Sequence, residues 1–169
     1  MWARVALGLT VASTLACSSS GAGPGRGIPE PLIVEMASEP QLGAPAPADF
    51  ASSRRVLVGP SQLDPSYIGR FGDVDFDVAV GNDGTTSYVA TDDPDFEAPE
   101  GARVGNPFSA LLPEHAEDAA DAEHAAGTEV VREPGWGCHI ALDSGWHAAT
   151  SMEGHACGEK VLWLFKRRN

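Results

Sequence analysis

The chain has 169 residues, and its formal net charge of −13 leaves no basic face with which to grip a nucleic-acid backbone. The acid is spread over several segments, which suits solubility, and the short basic run at the end, Lys166 to Arg168, reads as a solvated terminus. About 115 residues from Arg54 onward are enough for one ordinary domain.

The first element is an address. Arg4 precedes an uncharged apolar run, residues 5–16. The run falls short of the roughly 20 residues that span a bilayer and suits the h-region of a secretory signal peptide. Cys17 follows "TLA", and a small residue before Cys at the end of an h-region resembles the bacterial lipoprotein processing site, with Thr14 standing where that site usually has Leu. The resemblance implies that residues 1–16 are a signal peptide, that Cys17 receives a diacylglyceryl group, and that the chain is exported and held on a membrane by lipid. Ser18 in place of Asp points, by the same resemblance, to the outer membrane. Residues 17–53, rich in Ser, Gly, Pro and Ala, then read as a tether with too little apolar surface to fold. The apolar island Pro31 to Met36 is either an edge strand of the domain or part of this linker, and the prolines that bracket it favour the linker.

Two segments of the domain look alike. "VGPSQLDPSYIGRFG" and "VGNPFSALLPEH" both open on Val-Gly and carry an Asx-Pro pair, Asp64-Pro65 and Asn106-Pro107, which suits an N-cap followed by proline at the first helical position. Tyr67, Ile68 and Phe71, and then Phe108, Leu111 and Leu112, follow at helical spacing. A hairpin is expected after each short helix. The first alternates Val74, Phe76, Val78 and Val80 with Asp73, Asp75 and Asp77 and turns at Asp83-Gly84; the second turns at Ser144-Gly145. From Asx to turn is 20 residues in the first copy and 39 in the second, so the second carries 19 more, an acidic, Ala-rich insertion at 113–131. The closing "KVLWLFK" is apolar on both faces and reads as a central strand.

Together these elements predict a two-layer α+β domain over residues 54–169, with short helices packed on one antiparallel sheet in a tandem helix-hairpin repeat. The arrangement is similar to tandem-repeat secreted domains of the β-lactamase-inhibitor-protein type and to small outer-membrane assembly lipoproteins.

The segment "GCHIALDSGWHAATSMEGHAC", residues 137–157, holds the chemistry-bearing residues. In an oxidising compartment Cys138 and Cys157 are expected to pair as a disulfide. The alternative is a zinc or copper site using His139, His147 and His155. A two-residue loop would set Leu142 opposite His147 and send His139 to the other side of the sheet; only an odd-length loop would put both histidines on one side. No Cys-x-x-Cys spacing supports a catalytic dithiol. "DVDFD" lacks the Gly and Glu of a calcium loop. "DDPDFEAPE" lacks fixed ligand spacing and reads as a polar connection. Asp143, Ser144 and His147 crowd one turn without a nucleophile elbow. No phosphate loop or dinucleotide fingerprint is present.

No catalytic residue and no cofactor is therefore assigned. The expected function is a non-catalytic binding or scaffolding module at the cell envelope, its partners the membrane, through the lipid, and an envelope protein. A metal-binding lipoprotein is the first alternative and a hydrolase the second. Trp136 and Trp146, beside glycines near strand ends, are either core fillers or partner-binding anchors.

Overall fold

A computed structural model describes residues 31–51, 54–112 and 129–168. The signal segment, Cys17 and residues 113–128 of the predicted insertion lie outside them. The described strands run in chain order β1 Ile33–Glu35, β2 Arg54–Gly59, β3 Gln62–Phe71, β4 Val74–Val80, β5 Thr86–Thr91, β6 Val130–Glu133, β7 Gly137–Ala141, β8 His147–Thr150, β9 Met152–Glu153, β10 Ala156–Cys157 and β11 Trp163–Arg167. Nine of them form one mixed sheet in the order β1-β3-β4-β5-β11-β8-β7-β6, with β2 also on β3, while β9 and β10 make a separate small hairpin.

The expected α+β build is thus corrected to a sheet protein. The first predicted helix is the ten-residue strand β3. Its residues 66–71 pair one for one with β4, from Ser66 opposite Ala79 to Phe71 opposite Val74, which leaves no backbone group for a helix. Pro65 is tolerated because β4 begins to pair only at Ser66, opposite Ala79, so at Pro65 the strand has β2 alone beside it. Gly69 is needed for close approach, since a Cβ there would meet Met36 Sδ at 2.6 Å. The second predicted helix shrinks to one 3₁₀ turn, Phe108–Leu111. Asn106 does not cap it: its Oδ1 accepts the Arg103 N–H at 2.7 Å, and backbone bonds tie Gly105, Asn106 and Phe108 to residues 159–161. Without those helices the tandem repeat dissolves among the described residues, and with it the features that carried the likeness to inhibitor-type repeat domains.

Two boundaries also move. The domain begins before residue 54, because β1 lies parallel on β3 and the backbone of Leu32, Gly43, Ala44 and Met36 bonds to residues 68–86. Pro31 to Met36 therefore belongs to the sheet edge, not to a linker. Lys166 Nζ reaches Glu39 at 2.9 Å and Phe50 packs edge-on against Tyr67, closing this segment onto the sheet. At the other end, Val130 and Val131 belong to β6 rather than to an insertion.

The β4–β5 and β7–β8 hairpins dock on either side of β11, which pairs with β5 through Leu164 to Arg167 and with β8 through Trp163 to Phe165. Two faces result. One buries Tyr67, Phe76, Val78, Val89, Ile140, Trp146 and Leu164 under the segments around Phe50, Phe96 and Phe108. The other carries Ala79, Tyr88, Ala90, Ala149 and Phe165, with Val56, Trp136 and Trp163 packed against them. Val161, two residues before Trp163, joins the first face because β11 starts only at Trp163.

Candidate functional site

The second face gathers the polar groups. On β11 the alternation of Trp163, Phe165 and Arg167 points them to one side, and the antiparallel register brings Ala149, His147 and Tyr88 opposite them. On β7 and β8 the pairing is Ala141 with His147 and His139 with Ala149, leaving residues 142–146 as the loop. This is one residue off the expected register, and a one-residue slip exchanges faces. The correction follows from the turn: Leu142 N–H bonds to Trp146 O at 2.7 Å and Gly145, at φ +81°, closes back on Leu142, so the loop is odd in length.

His139 and His147 consequently share a face, with Nδ1 to Nδ1 at 3.2 Å. On the far side of His139, Nε2 is buried without a hydrogen-bond partner and stands 3.8 Å from Glu133 Oε2. Glu133 accepts two hydrogen bonds from the Arg167 guanidinium, at 3.1 and 2.8 Å. That guanidinium also lies 5.0 Å from the centre of the Trp136 ring, and His147 stacks on Phe165 at 4.7 Å.

Burial dominates the protonation of this group. It lowers His139, with the Glu133 charge opposing, and it lowers His147 to about 4, assisted by His139 and Arg167. The Arg167 hydrogen bonds hold Glu133 below the usual carboxylate range. At neutral pH both imidazoles are therefore uncharged and one donates its Nδ1–H to the other.

Beside this network opens a cleft of about 440 Å³, walled by Tyr88, Trp136 and Trp163 and rimmed by Leu57 and Leu162. Asp77 and Asp92 also line it. Asp77 forms a close ion pair with Arg54; burial raises its carboxyl, with Arg54 opposing and Asp92 and Asp75 adding to the rise. Trp163 hydrogen-bonds to Tyr88, whose phenol is pushed up by burial first and by Asp77 second.

The residues singled out from sequence part company here. Cys138 and Cys157 are bonded as a disulfide, Cα to Cα 5.6 Å, on the first face. His155 sits in the β9–β10 turn and lines a different cavity, beside Phe108, so the three histidines do not converge. Among the described residues no group of three or more His, Cys, Asp or Glu is placed to hold a metal ion. Ser144 is tied to Glu100 through its hydroxyl at 2.8 Å. Trp146 is 1 % exposed and is core, not an anchor, with Lys166 Nζ 4.5 Å from its ring centre. Trp136 remains half-buried on the cleft wall.

The terminal basic run is not a solvated end: Lys166, Arg167 and Arg168 pair with Glu39, Glu133 and Asp83. Nor is the acidic side of β4 simply solvated, since Asp75 takes two hydrogen bonds from Arg70 and Asp77 is held by Arg54. Sequence reasoning missed Glu133, Arg167, Tyr88 and Asp77 as members of one site. The signal available was the alternation in "WLFKR", which already sets Trp163, Phe165 and Arg167 on one side.

No protein family matches this chain, and neither a curated protein nor a solved structure matches it.

Proposed function

We propose that this chain is an exported, lipid-anchored protein of the cell envelope whose β domain is a non-catalytic binding module, and that the aromatic cleft is its binding surface. The uncharged h-region, Cys17 and the Ser/Gly/Pro-rich residues after it support export and anchoring. The observation that carries the binding reading is the cleft itself. Its volume lies in the range of small-molecule and side-chain sites, and it combines apolar walls with a few placed polar groups. The outer membrane is the compartment favoured by Ser18, and an envelope component is the partner class.

The mature chain retains Trp136, Trp146 and Trp163, which makes the test internally controlled. A chemically broad fragment set is titrated into the ¹⁵N-labelled protein and the indole N–H signals are followed. Saturable shifts at Trp136 and Trp163 with Trp146 silent are expected; a set in which no compound moves either cleft indole overturns the binding reading. The anchor is tested separately by Cys17→Ala, which should release the protein from membranes or leave its precursor uncleaved. Unchanged membrane partition of that variant would sink the lipid anchor.

A further inference from the structure

We propose that the cleft is a receptor for an alkylated ammonium group carried on an apolar stem. The proposal rests on the binding-module reading and gives that module its ligand class. The lining carries Trp136 and Trp163, with rings 6.0 Å apart and inclined at 64° so that they meet as a corner, and Tyr88, which is 3 % exposed and stacked on Phe165. Such a corner attracts cations through the ring quadrupoles, most strongly for Trp and most of all where water is excluded. Trp136 already holds one cation in this way, the Arg167 guanidinium, which stands outside the cleft lining and is committed to Glu133.

Charge selects among ligands that an aromatic corner would accept. The ionisable carboxylates on the lining are Asp77 and Asp92, and Arg54 pairs with Asp77. One acid is thus left without a matching charge from Arg54, and Asp92 and Asp75 repel Asp77 as its carboxyl becomes charged. An anionic ligand would add to this repulsion. A neutral apolar ligand would fill the aromatic wall yet leave the acids partly desolvated without gain. A divalent ion needs several oxygen ligands, and no such group is assembled among the described residues. An alkylammonium satisfies both requirements: it is weakly hydrated enough to leave water for the rings and it neutralises the acids. The rim then assigns the stem, since Leu57 is 36 % and Leu162 45 % exposed at the cleft.

The test uses the full mature chain and three probes: butyltrimethylammonium, choline and 3,3-dimethylbutan-1-ol, the uncharged isostere of choline. Indole shifts and calorimetry are read for each. Both cations should move Trp136 and Trp163 but not Trp146, and choline should bind about ten-fold more tightly than its isostere, the step expected of a desolvated cation–π site. Asp92→Asn, at an exposed position, should weaken choline several-fold and leave the isostere unchanged. Trp163→Leu should abolish binding of both, with near-ultraviolet circular dichroism of the Trp146 band checking that the fold persists. Equal affinity for choline and its isostere overturns the ammonium assignment while leaving the binding-module reading standing. So does an Asp92→Asn variant that binds choline as wild type. Failure of both cations to move either indole also overturns it, and the fragment titration then decides the module on its own.

Discussion

The two faces of the sheet are built to different rules. On one, Trp146, Phe76, Ile140 and Leu164 pack to 1 % exposure or less, and the disulfide at Cys138 is enclosed with them. On the other, large rings are interleaved with a histidine pair, Glu133, Arg167 and Asp77, and the wall opens into a cleft. Burying charge and imidazole is costly and rarely improves stability over apolar packing. Both faces bury apolar surface, Phe165 and Ala149 on the second being fully enclosed, but only the second also holds charged and imidazole groups among its rings.

The largest expected effect breaks this division most directly. Trp146→Ala should cost about 3–5 kcal/mol, the range for truncating a buried large aromatic. Trp136→Ala, on the half-buried cleft wall, should cost clearly less because water can enter the space left behind. Denaturant titrations of the two variants give the comparison; equal losses would mean that both faces are core. Next comes the staple. Replacing Cys138 and Cys157 together by Ala frees a loop of sequence separation 19 and should cost about 3 kcal/mol on the loop-entropy account. A reduced protein with an unchanged melting temperature would contradict it.

Mild acid should act on the second face through its histidine pair. His147 is lowered from 6.5 to about 4 in the folded chain, and His139 shifts the same way. Between those values the histidines bind more protons in the unfolded chain than in the folded one, so their contribution to stability falls as pH drops from about 6.5 toward 4, while Asp77, raised by burial, works in the opposite direction. Glu133, whose folded value is depressed by Arg167, adds a further loss as pH falls below 4.5 toward that lower value. His147→Phe, which keeps a ring stacked on Phe165, should flatten the pH dependence between about 6.5 and 4 relative to wild type. The same slope in both proteins would show that the loss arises elsewhere.

How much of this was legible follows from what each signal measures. Alternation in β4 and β11, and Gly-containing turns at Gly84 and Gly145, are local and can be read from the chain. The helix reading of residues 64–71 failed because Asp-Pro with apolar residues near it suits either a capped helix or an edge strand, and the choice was made by distant partners, β4 and Met36. The separation of His139 from His147 failed for a narrower reason. Turn residues 144 and 145 were correctly placed, but the loop is longer than the two residues assumed, and the odd count reversed a face. Arg167 and Glu133 are 34 positions apart, and no periodicity reports such a pair. The disulfide was accessible because compartment chemistry, not geometry, predicts it.

The smallest expected effect on folding carries the sharpest test of the cleft. Leu162 is 45 % exposed and precedes β11, its N–H bonded to Ala149 O at 2.8 Å, so the backbone and not the side chain holds it in place. Leu162→Ser should therefore change stability by no more than about 0.5 kcal/mol, as surface substitutions do. If the leucine rim receives an apolar stem, the variant should lose affinity for butyltrimethylammonium while binding tetramethylammonium as wild type does, because only the longer probe reaches the rim. Equal weakening of both probes would place Leu162 beside the charged head instead, and no change in either would remove the rim from the site. The first outcome separates head and stem on a residue that the fold hardly needs, which is what a binding face distinct from the folding face requires.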